Sequence, residues 1–214
     1  MLQDKAKKSG DEFKVDDYFI MAEPHMERQW NYYVWKRIEK FKKKVVVDLA
    51  CGHGRNTEFL RKVSGTVIAA DINQECIDAC AKRFTNADNV QTLLIDGCSL
   101  KEIPDNSVDL VYSFDAMVHF EPEVIEAYIN EFARILTRKG HGFIHHSNNW
   151  KGEGKDFRKQ PHWRNYMTKD LFAKFLMKAG LKLVSQTVIN WDESYSEMGG
   201  GLVLDLDCIT IFTK

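Results

Sequence analysis

A pair of glycines follows directly on an apolar run in residues 45–60, VVVDLACGHGRNTEFL. Gly52 and Gly54 have no β-carbon, so a ligand can approach backbone there that side chains would otherwise cover. Nineteen residues beyond Gly52, Asp71 ends a second apolar run, TVIAAD. An acidic side chain at this position can bind both hydroxyls of a ribose. The spacing therefore predicts a ligand with a ribose at the ends of two neighbouring strands.

Two details of the glycine loop argue against a dinucleotide. Thr57 stands where the dinucleotide fingerprint has glycine or alanine, so close helix packing over a pyrophosphate is not favoured. Asp48 ends the strand before the loop, and its carboxylate suits a cationic, amine-bearing ligand better than a pyrophosphate. The loop therefore favours a nucleoside that carries positive charge.

The elements that must position these residues alternate along the chain. Short apolar, β-branched runs predict buried strands at 45–50, 66–71, 90–96, 108–114, 141–147, 181–189 and 202–212. Amphipathic patterns predict helices near 55–63, 74–84, 123–137 and 169–179. This alternation is typical of a doubly wound parallel sheet. The last two strands have no helix between them, so we expect an antiparallel hairpin through Gly199, Gly200 and Gly201.

Several residues carry the chemistry of helix ends. We expect Asn73 and Thr168 to be N-caps and Pro122 to begin a helix. Gly140 and Gly180 stand where C-terminal caps belong.

The N-terminal part precedes this pattern and differs from it. Residues 1–17 are polar without periodicity, which predicts a mobile arm that can order over another part of the protein. A helix is then expected from apolar residues at helical spacing: Met26, Trp30, Tyr33, Val34, Ile38 and Phe41. We expect residues 1–44 to be an extension of the same domain as residues 45–214.

Composition restricts the class of protein. A chain of 214 residues, 44% of them hydrophobic, predicts one soluble globular domain rather than long disorder. The net charge of −1 gives no general attraction for nucleic acid or a membrane surface, and we expect neither as a partner. Five cysteines without a C-x-x-C pair argue against disulfides or zinc and favour a reducing cytoplasm.

The glycine loop and the acid after the second strand resemble those of class I S-adenosylmethionine-dependent methyltransferases, over about residues 45–214. The resemblance implies an α/β fold: a single-domain Rossmann-like, doubly wound sheet of seven strands, the last one antiparallel. It also implies S-adenosylmethionine as cofactor. The implied contacts are Asp48, Ala50, Gly52 and Gly54 around the methionine part, Asp71 on the ribose, Ile72, Ile95, Asp96, Gly97 and Cys98 around the adenine, and Ser113 and Phe114 behind the sulfonium. One residue departs from the family pattern, because Ala50 replaces the usual first glycine and alanine tolerates a positive φ angle poorly.

The segment after the fourth strand, SFDAMVHFEP, bears on the methyl acceptor. It lacks the Asp or Asn followed by two prolines of nucleic-acid amino methyltransferases. It resembles small-molecule O-methyltransferases, in which a histidine at the position of His119 is the general base. Imidazole titrates near neutral pH, so it can remove a proton from a hydroxyl. Asp115 could orient His119 or bind a metal, but no paired carboxylates accompany it, and we expect no metal.

Residues 147–168, SNNWKGEGKDFRKQPHWRNYMT, combine aromatic rings with hydrogen-bonding groups, as sugar sites do. The run HWRNYMT resembles methyltransferases associated with bacterial glycan biosynthesis. We expect a small-molecule acceptor, a sugar or nucleotide-linked sugar, and an excess of basic residues here predicts that it is anionic. The candidate substrate residues are Asn148, Arg158, His162 and Arg164. The alternatives are an ordinary surface loop, a protein or RNA methyltransferase, and a cofactor-binding module without turnover.

Overall fold

A computed structural model describes residues 1–13, 16–190 and 204–214. Its centre is a seven-stranded sheet in the order β3-β2-β1-β4-β5-β7-β6. The strands are β1 (Val45–Leu49), β2 (Thr66–Asp71), β3 (Val90–Leu94), β4 (Val108–Ser113), β5 (Leu136–Ser147), β6 (Lys182–Ile189) and β7 (Asp207–Thr213). β1 to β5 pair in parallel, whereas β7 is antiparallel to both β5 and β6. The expected fold class is confirmed, and the expected turn at Gly199–Gly201 lies outside the described residues.

Helices cover both faces of this sheet. They are α1 (Leu2–Gly10), α2 (Asp16–Ala22), α3 (Met26–Gln29), α4 (Trp35–Ile38), α5 (Arg55–Val63), α6 (Gln74–Arg83), α7 (Pro122–Ile135) and α8 (Lys169–Lys178). Val47 and Val111 pack in the cluster that contains α7 and α8 residues, and Val46 and Leu110 pack in the cluster on the opposite face. Because both faces are buried, the strands have continuous rather than alternating apolar sequences. Among the described residues, no helix combines the length and apolarity needed to span a membrane.

The helix predicted from Met26 onwards is present, but it is not a uniform α-helix. A π-helical stretch, Trp30–Val34, separates α3 from α4. The apolar positions of α3, this stretch and α4 are buried against the sheet. Phe41 lies beyond the end of α4 and stacks on His141, with 4.1 Å between ring centroids.

Three of the five residues predicted to lie at helix ends have that role in the structure. The Thr168 Oγ1 accepts a hydrogen bond from the Leu171 amide at 3.0 Å, Pro122 begins α7, and Gly180 has a φ of +77° after α8. Gly140 is not a cap, because β5 begins at Leu136 and includes it. Asn73 precedes α6 but makes no capping bond. Its Nδ2 donates instead to the Gly10 carbonyl at 2.9 Å.

The N-terminal extension is helical, as the expected fold class included, and the arm that was expected to be mobile forms α1. α1 lies along the carboxyl-terminal edge of the sheet, where the Ser9 hydroxyl donates to the His119 carbonyl at 2.9 Å. Lys5 forms an exposed ion pair with Glu123 at 2.7 Å. The nine residues of α1 bury only Ala6 and Ser9, so their sequence carries little apolar periodicity. The arm therefore covers the edge of the sheet at which the ligand was expected.

Candidate active site

The loop between β1 and α5 contains three residues with positive φ. The angles are +57° at Ala50, +53° at Gly52 and +82° at Gly54. The Gly52 amide donates to the Asp71 Oδ2 at 2.9 Å, which draws the loop against the end of β2. Two of the three positions carry glycine, the residue that adopts this conformation without steric cost. Ala50 pays that cost, as its identity at this position suggested.

We expect the Ala50→Gly variant to be more stable than the wild-type protein. A residue with a side chain loses about 1–2 kcal/mol of stability in the left-handed region, and glycine avoids this strain. Glycine also has more conformational freedom in the unfolded chain, which offsets a part of the gain. The net gain should be roughly 0.5–1 kcal/mol, measured by urea unfolding. Ala70→Gly, in the buried part of β2, is the matched control and should lower stability. Equal losses in both variants would show that the Ala50 backbone is unstrained.

Asp71 ends β2 with its carboxylate buried and bound at both oxygens. Its Oδ1 accepts from the Asn73 amide and its Oδ2 from the Gly52 amide, both at 2.9 Å. Burial raises the pKa of Asp71, and these backbone amides oppose the shift. Each carboxylate oxygen keeps a further lone pair for another donor, such as a ribose hydroxyl.

A cavity opens at the carboxyl ends of β1, β2 and β4, near the switch point of strand order. Eight predicted site residues line it: Ala50, Gly52, Asp71, Ile72, Ile95, Gly97, Asp115 and His119. A β-carbon on Gly97 would lie 2.4 Å from the Ile72 side chain, so the wall is closely packed there. A carboxylate beside apolar Ile72 and Ile95 fits the ribose and adenine of S-adenosylmethionine. The individual cofactor contacts remain predictions.

The N-terminal part of the chain, the arm together with α2, supplies part of the cavity wall, which the sequence did not reveal. Its contributions are Ala6, Ser9, Gly10, Phe13, Tyr18 and Phe19. Phe19 stacks on His53 with 3.9 Å between ring centroids. A β-carbon on Gly52 would lie 2.4 Å from the Phe19 ring, so this ring rests directly on the glycine loop. The scattered aromatic residues of a polar arm were the available signal.

Six other residues predicted to contact the cofactor lie outside the described cavity lining: Asp48, Gly54, Asp96, Cys98, Ser113 and Phe114. Asp48 is buried and accepts a hydrogen bond from Thr57 Oγ1 at 2.6 Å. Burial raises its pKa to about 7, although the Thr57 bond opposes the shift.

The remaining members of this group have partners within the protein. The Asp96 carboxylate accepts from the Cys98 amide at 3.0 Å, and the Ser113 hydroxyl donates to the Leu49 carbonyl at 3.0 Å. Phe114 is buried, with its ring centroid 4.9 Å from that of His145. These residues are thus held by partners within the protein, and their contacts with the cofactor remain predictions.

His119 ends a short 3₁₀ turn, Met117–His119, after β4. Its Nδ1 lies 2.7 Å from the Trp163 carbonyl oxygen. A carbonyl can only accept, so Nδ1 carries the proton and Nε2 keeps its lone pair. Burial, with the charge of Arg164, lowers the pKa of His119 to about 4. The side chain is therefore a neutral imidazole at the cavity wall, with its ring 4.5 Å from that of Phe13.

Asp115 has a positive φ of +59° and a charged environment. Its Oδ2 accepts from Arg55 Nη2 at 3.2 Å and from the Tyr18 hydroxyl at 3.1 Å. Burial alone would raise the pKa of Asp115, but Arg55 and Arg164 outweigh it and hold the pKa below its usual value. The carboxylate is therefore ionised.

The expectation that Asp115 orients His119 is wrong in this geometry. The carboxylate is occupied by Arg55 and Tyr18, while the Trp163 carbonyl fixes the imidazole. The described part of the chain also contains no group of three His, Cys, Asp or Glu side chains arranged to hold a metal ion.

The four predicted substrate residues lie outside the described cavity lining. Arg164 is 2% exposed and forms a bidentate pair with Asp207 at 2.8 and 2.7 Å, so the prediction that it grips an anionic acceptor is wrong. Arg158 is exposed and pairs with Asp156 and Glu12.

Asn148 and His162 form hydrogen bonds within the protein that involve backbone groups. The Asn148 Oδ1 accepts from the Lys169 amide at 3.0 Å, and its Nδ2 donates to the Asp205 carbonyl at 2.9 Å. The His162 carbonyl accepts from Arg164 Nη1 at 3.0 Å. Their roles toward a substrate remain predictions.

Sequence reasoning missed the buried charges behind the cavity. Arg55 binds Asp115, and Asp207 binds Arg164 and lies 3.4 Å from His145 Nε2. A signal was present, because Asp207 interrupts the apolar run LVLDLDCITIF, and an acid inside a buried strand needs a cationic partner.

The strand order, the reversed β7 and the cavity at the switch point define the class I methyltransferase fold. A family model described as a methyltransferase domain matches residues 46–140. Residues 46–140 therefore match a methyltransferase domain, and the described part of the chain has the fold that class I S-adenosylmethionine-dependent methyltransferases share.

Two curated proteins and one solved structure illustrate the likeness. Phosphoethanolamine N-methyltransferase 1 of Triticum aestivum is 36% identical over 110 residues, which are 49% of this chain and 21% of that protein. A probable S-adenosylmethionine-dependent methyltransferase of Mycobacterium tuberculosis is 26% identical over 95 residues, 44% of this chain and 32% of that protein. The chain thus spans about a fifth and a third of these relatives' lengths. A Leishmania major S-adenosylmethionine-dependent methyltransferase shares the fold with a TM-score of 0.72 at 10% identity, over 97% of this chain and 82% of that one.

Proposed function

We propose that the protein transfers a methyl group from S-adenosylmethionine to a hydroxyl of a small molecule, a sugar or nucleotide-linked sugar. The observation that carries this proposal is the neutral imidazole of His119 at the cavity wall. Its Nδ1 is bound to the Trp163 carbonyl, so Nε2 is the nitrogen that can receive a proton.

The cofactor supplies an electrophilic methyl group, and the protein supplies alignment and a proton acceptor. His119 Nε2 accepts a hydrogen bond from the acceptor's hydroxyl group and so directs a lone pair of the hydroxyl oxygen away from the imidazole. The new O–C bond would form as the bond between the cofactor's sulfur and its methyl group breaks, with the demethylated thioether as leaving group, and the hydroxyl proton, acidified by this bond, would pass to Nε2. A base whose pKa is about 4 is sufficient for a proton transferred this late.

A sugar acceptor is favoured by the surface beside the cavity. A polar groove runs between α1, the start of α7 and residues 152–166, and is lined by Lys5, Lys8, Glu121, Glu153, Lys155, Asp156, Asn165 and Tyr166, among others. Mixed charges, an amide and an aromatic ring can bind the hydroxyls and flat faces of a saccharide. For an anionic acceptor, Arg158 is the candidate ligand, because its exposed ion pairs are weak enough to be exchanged for a phosphate.

An amine acceptor is the second candidate. The wheat relative is named for methylation of phosphoethanolamine nitrogen. In this protein the ionised Asp115 lines the same cavity as His119, together with Phe13 and Tyr18. A carboxylate and aromatic faces are groups that attract an ammonium.

Labelled methyl transfer tests both candidates. The protein is incubated with methyl-labelled S-adenosylmethionine and three acceptor sets: nucleotide sugars, neutral sugars and phosphorylated amino alcohols. We expect label in the nucleotide sugars, with a KM that rises with salt because exposed charges are screened within about 10 Å. Label only in the amino alcohols establishes the second candidate. Label in protein or RNA of an extract, or in no fraction, contradicts both.

A further inference from the structure

The turn Pro161–Trp163 carries unusual backbone strain beside the cavity. His162 has a φ of +49° and Trp163 a φ of +56°, so two consecutive residues with side chains are left-handed. Each costs about 1–2 kcal/mol relative to an ordinary conformation, and a bulky residue such as tryptophan is rarely found there. Strain of this kind persists only where surrounding contacts impose it.

Those contacts come from the buried charge of Arg164, the next residue. Its guanidinium holds Asp207 through Nε and Nη2, and its Nη1 donates back to the His162 carbonyl at 3.0 Å. Asp207 is fully buried at the start of β7. The ion pair therefore ties the turn to the sheet, and a planar, two-pronged donor is required to make all three bonds.

The turn is also fastened to the backbone that carries His119. The Asn165 amide donates to the Val118 carbonyl at 2.9 Å, and the Asn165 Nδ2 donates to the His119 carbonyl at 3.2 Å. On the other side, Asn149 Nδ2 donates to the Arg164 carbonyl at 3.1 Å. Together these hydrogen bonds hold the Trp163 carbonyl oxygen 2.7 Å from His119 Nδ1.

We infer that Arg164 is a positioning residue: through the strained turn it holds the Trp163 carbonyl against His119 Nδ1 and so selects the tautomer whose Nε2 is unprotonated. A neutral histidine in water prefers the other tautomer, with the proton on Nε2. Without the carbonyl, His119 would therefore present a donor where a proton acceptor is needed. The use of His119 in turnover rests on the proposed function, whereas the tautomer does not.

The test is the tautomer of His119 in protein labelled with ¹⁵N in its histidine rings, read from the ring nitrogen shifts by NMR. In the wild type we expect protonated Nδ1 and unprotonated Nε2. Arg164→Lys keeps the positive charge beside Asp207 but loses the planar, two-pronged guanidinium. We expect His119 to be a mixture of tautomers in this variant. Arg158→Lys, in the exposed pair of the same loop, is the matched control and should leave His119 unchanged.

Folding of each variant is checked by circular dichroism, because a weakened buried ion pair is destabilising. If Arg164→Lys does not fold, Asn149→Ala decides: it removes one support of the turn and leaves the ion pair intact, and it should shift the tautomer in the same direction. A folded Arg164→Lys, or failing that a folded Asn149→Ala, in which His119 keeps the wild-type tautomer overturns the inference.

Kinetics separate this inference from the proposed function. With an acceptor in hand, Arg164→Lys should lower kcat about tenfold and leave the KM for S-adenosylmethionine unchanged, since it misplaces only the base. A changed tautomer with full kcat would support the positioning role and refute His119 as the base. An unchanged tautomer would refute the positioning role whatever the activity.

Discussion

His119→Ala lowers turnover by about 10²-fold or more while the affinity for S-adenosylmethionine stays nearly constant. A positioned general base contributes about 10²–10⁴-fold, and alanine leaves no group to take the proton. Among the described residues, the buried imidazole makes one hydrogen bond, to the Trp163 carbonyl, so the fold should survive its loss. Initial rates with labelled cofactor measure the first effect, and calorimetry measures the second.

The dependence of kcat on pH in the wild-type enzyme is a second test of His119 as the base. Burial, with the charge of Arg164, places the pKa of His119 at about 4, so the imidazole is already deprotonated at neutral pH. The pH dependence that His119 contributes to kcat is therefore flat above about pH 5, and kcat falls as pH approaches 4.

The control for this variant is His141→Ala. His141 lies within β5, paired with Leu110 of β4 and stacked on Phe41 outside the cavity lining, and should be dispensable for turnover. If His119→Ala keeps a near wild-type rate, alignment alone carries the reaction and the base assignment is wrong.

Asp71→Ala weakens the binding of S-adenosylmethionine and of its demethylated product by about 10²-fold. Hydrogen bonds to a charged group contribute about 1.5–3 kcal/mol, and the variant removes the carboxylate assigned to the ribose. It also removes the acceptor of the Gly52 and Asn73 amides, so the glycine loop loses its attachment to β2. Isothermal titration calorimetry gives both affinities directly.

Two further variants isolate the cause. Asp71→Asn keeps one side-chain oxygen for a backbone amide and should lose less affinity than Asp71→Ala. Asp88→Ala removes an exposed acid from the loop before β3 and should bind like the wild type. Equal affinity in Asp71→Ala and wild type, or preferential binding of NAD by the wild type, contradicts the assignment of this cavity to S-adenosylmethionine.

The parts that could be predicted from sequence are those fixed by local pattern. Buried parallel strands need continuous apolar runs, so the positions of β1 to β4 followed from the order of apolar residues along the chain. The loop between β1 and α5 and the acid that ends β2 are close in sequence and act together, as the bond from Gly52 to Asp71 illustrates.

The parts that could not be predicted depend on contacts between distant segments. Arg164 and Asp207 are 43 residues apart, and nothing near Arg164 in the chain indicates that its charge is neutralised inside the protein. Tyr18 reaches Asp115 from 97 residues away, on an arm whose sequence resembles a surface segment. Charge counted along a loop therefore suggested an anion site where the folded protein has an ion pair.

The position of β7 governs when this site can exist during folding. β7 follows β6 in the chain but lies between β5 and β6, so neither strand has its final neighbour until β7 has inserted. Asp207, the first residue of β7, enters with it, and until then Arg164 has no carboxylate to hold the strained turn. A chain with β1 to β5 already paired would have the glycine loop and Asp71 in place but His119 unfixed. The glycine loop and the turn that contacts His119 are thus completed at different stages, and the second stage requires the long-range pairing of β5 with β7.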